Sequence, residues 1–167
     1  AMINQCRLIG YLDNVSWDIA DTLDEMFKDN SILLNRVTRD SIETYLSLIH
    51  EAHSPADLAQ FLRLLASLCS VDGEAITSTQ NAIRDLVLKP DSPSSDILPV
   101  SNSNSSGGIT QITARVHTPG KPFSAWRLVT VPLKEYLQDA GNLEYYEATL
   151  ELYAQLCLEG NCQQELQ

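Results

Sequence analysis

The residues able to do chemistry are few and scattered along the chain. The histidines are His50, His53 and His117. The first two are three apart with Glu51 between them, so on a helix they share a face, and a metal site would need that pair plus a distant ligand. They read instead as exposed helix-end histidines, well placed at the negative pole of a helix. Ser47 and Ser67 lie inside helical patterns, not in a nucleophile elbow. Gly107-Gly108 precedes a strand pattern where a phosphate cradle needs a helix opening on Lys and Ser/Thr. Asp72-Gly73-Glu74 lacks the spaced oxygen ligands of an EF-hand loop. Asp21, Asp24 and Glu25 read as a solvated helix face. The four cysteines, Cys6, Cys69, Cys157 and Cys162, form no C-x-x-C pair. Cys69 follows Leu65 and Leu68, and Cys157 follows Tyr153 and Leu156, so both act as small hydrophobes on apolar faces and point to a reducing compartment. No catalytic residue, no metal ligand and no cofactor is assigned, and the chain is expected not to be an enzyme.

The composition limits what such a chain can bind. Its 167 residues suit one domain, with 44% hydrophobic residues and a net charge of −11. Only 11 Lys and Arg are spread over that length, so nucleic acid and anionic membrane surfaces are not expected partners. No stretch approaches the roughly 20 apolar residues of a membrane span, and no charged and apolar leader opens the chain. Both ends read as those of a piece of a longer chain, and the piece itself is expected to be soluble.

The elements that must position these residues are mostly helices. Ser16 is placed to cap a helix starting at Trp17, with Trp17, Ala20, Leu23 and Phe27 as its buried stripe. Asn30-Ser31 breaks it, and a short apolar helix follows at Ile32-Leu33-Leu34. Asp40-Ser41-Ile42-Glu43 is a capping-box pattern, and Ile42, Tyr45, Leu46 and Ile49 share the face behind it. Ser54-Pro55 restarts a helix with cap and first-turn proline; Leu58, Phe61, Leu62, Leu65, Leu68 and Cys69 form its stripe. Gly73 offers a left-handed stop. Ser78 or Thr79 caps the next helix, which turns Ile83, Leu86 and Val87 inward and closes at Pro90.

Residues 90–108, rich in Ser, Asn and Gly, read as a mobile loop. The period then changes to two: Ile112, Ala114 and Val116 alternate, as do Trp126 and Leu128, with Pro119-Gly120 between. A small hairpin joining 109–117 to 125–131 is expected. Pro132 starts a short helix ending at Gly141. Asn142 caps the last one, with Leu143, Tyr146, Leu150, Tyr153, Leu156 and Cys157 inward and Gly160 as its stop. The expected fold is mainly α, a stacked helical, armadillo-like bundle with a small β-hairpin insertion, and residues 1–167 are read as one domain with Leu62, Leu65, Leu68, Leu150 and Tyr153 in one core.

Three stretches resemble the ryanodine and inositol trisphosphate receptor homology (RIH) domain. The first runs from Ser16 to Ile49, notably Ser16-Trp17-Asp18-Ile19-Ala20 and Ile42-Glu43-Thr44-Tyr45-Leu46-Ser47-Leu48-Ile49. The second is the run from Leu68-Cys69 through Ala75-Ile76 to Gln80-Asn81. The third is the Tyr145-Tyr146 helix ending in Cys157-Leu158. They occur in the family's order, and the insert before the Tyr-Tyr helix is more similar to inositol trisphosphate receptors than to ryanodine receptors. The resemblance implies a cytosolic structural and regulatory module of an inositol trisphosphate receptor-like intracellular calcium-release channel, relaying ligand state toward the pore. The implied partners are other domains of the same chain and neighbouring subunits of a tetramer, at the cytoplasmic face of an endoplasmic-reticulum-like calcium store. The alternative is an RIH-like protein-interaction scaffold without channel activity. Where the family's receptor helix ends in an Arg-Lys pair that contacts ligand phosphates, this chain has His50-Glu51, and of the preceding basic helix only Arg7 remains. Inositol trisphosphate binding is therefore not expected of this piece, and no ligand-binding residues are assigned.

Overall fold

The computed structural model describes residues 18–92, 94–103 and 109–158. Ser16, Trp17 and Gly160, with Cys6 and Cys162, lie outside them. Helix α1 is Asp18–Phe27, with Ala20 and Phe27 buried. The short α2, Ser31–Leu34, is capped by Asn30, whose side chain accepts from the Leu33 N–H. In α3, Arg39–His50, the cap is Thr38, two residues before the expected Asp40, and its hydroxyl accepts from the Ser41 N–H at 3.2 Å. The predicted face holds: Ile42, Tyr45, Leu46 and Ile49 are all buried. Helix α4, Pro55–Ser67, starts as its sequence dictates. The Ser54 hydroxyl accepts from the Asp57 N–H, and Pro55 occupies the first turn, where no N–H is needed.

The expected armadillo-like stack with one hairpin is not what forms. The described residues build a mixed helix-and-sheet fold with two antiparallel sheets and five strands. The first difference is at Gly73. Instead of stopping a helix, Asp72 and Gly73 both take positive φ and turn β1, Ser70–Val71, back onto β2, Glu74–Ala75. Asp-Gly is the preferred pair for a two-residue hairpin turn, because both central residues must be left-handed there. The turn is tied down from outside: the Asp72 N–H donates to Asp29 Oδ1 at 3.0 Å. Helix α5, Thr77–Val87, follows directly from Ile76 without a side-chain cap, and Thr79 is buried instead of capping.

The second difference is a strand inside the expected loop. Val100–Ser103 forms β3, which pairs with β4, Thr110–Val116. Strand β4 pairs in turn with β5, Arg127–Pro132, which is the expected hairpin. A ladder needs only backbone groups, so the polar Ser101-Asn102 does not prevent β3. Ahead of it, Ile97 and Leu98 are buried and anchor the segment.

After β5 come the four-residue α6, Leu133–Tyr136, and the long α7, Ala140–Leu156. Asp139, not Asn142, caps α7, its carboxylate accepting from the Asn142 N–H at 2.9 Å. Helix α7 lies along α4, the most extensive packing between two elements in the fold. Leu58, Leu62, Leu65, Leu68, Tyr145, Ala148, Leu152 and Leu156 meet in the main core, where each large apolar side chain contributes roughly 1.5–3 kcal/mol. The expected inward stripe on α7 is rotated. Leu143 and Leu150 are 39% and 49% exposed, and Tyr153 is only partly buried. A smaller cluster of Ile112, Ala114 and Tyr136, flanked by Tyr146 and Val131, fills the space beneath the three-stranded sheet.

Candidate functional site

The sequence-selected His50 and Glu51 sit at the C-terminal end of α3. His50 is half-buried and Glu51 is the exposed C-cap residue. His53 lies beyond the helix, its backbone N–H bonded to Asp57 Oδ2 at 3.2 Å. Among the described residues no group of three or more His, Cys, Asp or Glu side chains is arranged to hold a metal.

What His50 does meet was not legible from its neighbours in sequence. Its ring centroid is 6.1 Å from that of Phe123. Phe123 packs edge-on to Trp126 at 5.3 Å, and Trp126 edge-on to His117 at 4.8 Å. Edge-to-face contacts of this kind add about 0.5–1.5 kcal/mol beyond area burial. The backbone fixes the row: the Phe123 N–H donates to the Ala52 carbonyl at 2.7 Å, and Trp126 Nε1–H donates to the Lys121 carbonyl at 2.9 Å. The Arg115 guanidinium lies 5.4 Å from the Phe123 ring centroid. It is held by Asp96 Oδ2, 2.9 Å from Nε, and by the Trp126 carbonyl, 2.6 Å from Nη1. The row of rings thus clamps the start of β5 and the end of β4 to the helical body.

Three further cations face carboxylates. Arg39 meets Glu43 at 3.0 Å, Arg63 meets Glu144 at 2.9 Å, and Lys89 meets Asp85 at 3.0 Å. A phosphate ligand would have to displace these pairs to gain charge-assisted hydrogen bonds. An open cleft of about 430 Å³ lies between the start of α4 and the start of α7, with Ser54, Pro55, His117, Asp139 and Asn142 on its walls. Its one carboxylate, Asp139, is engaged in capping α7.

The remaining polar chemistry is internal. Tyr145 is 1% exposed and its hydroxyl donates to the Ile97 carbonyl, joining α7 to the segment before β3. Burial pushes the Tyr145 phenol well above its ordinary value, and neighbouring Tyr136 and Asp96 add to the effect. Tyr136 is raised as well, chiefly by burial and then by Asp139. Cys69 is buried with its Sγ–H directed at the Leu65 carbonyl, and Cys157 packs against the main core, as their apolar settings in the sequence indicated.

The second resembling run is used in the same internal way. Leu68, Cys69 and Gln80 are fully buried, and Gln80 Nε2 donates to the Gln155 carbonyl of α7 at 2.8 Å. Residues 2–101 match the RIH domain model. The chain belongs to the RIH domain family. The matched span ends within β3, so the Tyr145–Leu158 helix of the third resembling run lies beyond it. The chain is also similar to the inositol 1,4,5-trisphosphate receptor-like protein A of Dictyostelium discoideum, at 29% identity over 68 residues. That alignment covers 41% of this chain and 2% of the relative, so the RIH chain described here spans a small fraction of the relative's length.

Proposed function

We propose that this RIH domain is a structural and regulatory module of an inositol trisphosphate receptor-like calcium-release channel, acting through packing surfaces and performing no catalysis. The carrying observation is the RIH match over residues 2–101, joined by the receptor-like relative. The geometry supports a packing role. Leu68, Cys69 and Gln80 of the second run that resembles the family are buried, Gln80 ties α5 to α7, and Arg39, Arg63 and Lys89 face carboxylates. In this reading residues 1–167 form one folded unit of a longer chain. The unit stands at the cytoplasmic face of a calcium-store membrane, contacts other domains and subunits of a tetramer, and relays ligand state as a rigid body. Among the described residues no helix is long and apolar enough to cross a membrane.

The test uses the parent chain in store-membrane vesicles loaded with a calcium indicator. Calcium release on adding inositol trisphosphate is the expected result. A parent chain that folds in the membrane fraction and releases none, or one with no membrane fraction, would establish the alternative, a scaffold without channel activity.

A further inference from the structure

Helix α7 carries two apolar stripes; the fold buries one fully and the other only along its tyrosine edge, where Tyr146 and Tyr153 pack against the two cores. Tyr145, Ala148, Leu152 and Leu156 are buried against α4. The other stripe is Leu143, Tyr146, Leu150 and Tyr153, spaced three and four apart over eleven residues. That is the spacing of a coiled-coil seam. Tyr146 and Tyr153 are half-buried along its edge, whereas Leu143 and Leu150 remain substantially exposed, one heptad or about 10 Å apart along the axis. A helix that buried only one stripe in its working state would be expected to carry polar residues at these two positions.

The charges beside the seam say what fits it. Glu147 lies between the two leucines on the outer surface and is exposed. Glu144 and Glu151 flank the same face and share one cation, Arg63, at 2.9 and 4.0 Å. Glu147 has no ion pair among the described residues, leaving an excess of negative charge along an apolar seam on a chain of net charge −11.

We propose that the outer face of α7 docks a basic amphipathic helix from outside this chain, with Leu143 and Leu150 seated between its apolar side chains and Glu147 paired with its Lys or Arg. The proposal stands on the geometry of α7 and does not depend on the channel reading.

The probe is a fluorescent three-heptad helical peptide with leucines at the seam positions and lysines beside them, held at trace concentration and titrated with the 167-residue chain. A matched peptide with glutamates in place of the lysines is the control. Binding of the lysine peptide, at least tenfold tighter than the glutamate peptide, is expected. The double variant Leu143→Asn, Leu150→Asn should weaken it tenfold or more, and Glu147→Lys several-fold, with circular dichroism unchanged because these side chains lie on the outside. Equal binding of the two peptides, or binding unaltered by the leucine changes, would overturn the proposal. So would sedimentation showing that the chain dimerises through this face and that the leucine changes abolish the dimer, since the occupant would then be a second copy.

Discussion

Tyr145 ties α7 to the distant segment before β3, and its phenol gives the fold a pH signature. Burial holds its pKa above the ordinary 10.0, so the folded chain keeps a proton that the unfolded chain loses near that value. The contribution is fully present below pH 10 and is lost as pH rises toward the folded value, at up to about 1.4 kcal/mol per pH unit for each such group. Tyr45, Tyr136 and Tyr153 are raised by burial in the same direction. Urea melts should therefore show steady stability near neutrality and a fall above pH 10. Tyr145→Phe loses the Ile97 hydrogen bond, about 1 kcal/mol at pH 7, but should show a shallower alkaline fall than the parent chain. Equal slopes would mean that Tyr145 is not buried in the folded state. At this scale the sequence was informative about residues that act locally. Ser54 capped α4 as expected because cap and proline lie side by side in the chain. It was uninformative about Arg115, whose partners are Asp96, from the segment before β3, and Phe123 and Trp126, from the turn before β5.

The elements show where local pattern and tertiary packing part company. Helices α3, α4 and α5 bury faces read directly from their spacing. In α7 both stripes are apolar, so periodicity alone could not choose between them. The stripe that contains Ala148 and Thr149 is the buried one, whereas Leu143 and Leu150 remain outside. The β1–β2 hairpin was written in Asp72-Gly73, but the apolar helix before it made a helix stop the simpler reading. Gly73 has φ +81°, and a Cβ there would meet no atom within 4 Å. A substitution is thus disfavoured by backbone conformation alone. Gly73→Ala should cost about 1–2 kcal/mol, the ordinary penalty for a left-handed L-residue. Equilibrium urea unfolding with an unchanged slope would show this. A neutral effect would mean that the turn is not left-handed at Gly73. Strand β3 was hidden for a different reason: its polar side chains carry no period, and its pairing depends on β4, which lies beyond a Ser- and Gly-rich stretch.

On the scale of the whole molecule, the RIH match stops within β3, whereas the main core needs α7 to cover α4. The helices of the matched part and the sheet beyond it are joined by the aromatic row from His50 to His117 and by the Arg115–Asp96 pair. Such an arrangement can pass a displacement at one end to the other as a rigid body, the role proposed for it in a channel. It does not require the domain to hold the ligand itself. Where the family resemblance calls for two cations at the end of α3, His50 faces Phe123 and Glu51 adds a negative charge. The most direct measurement is calorimetric titration of inositol trisphosphate into the 167-residue chain at low and physiological salt. The account predicts no binding heat at either. Micromolar binding that weakens as salt rises would contradict it, by revealing a basic ligand pocket where the structure supports only packing.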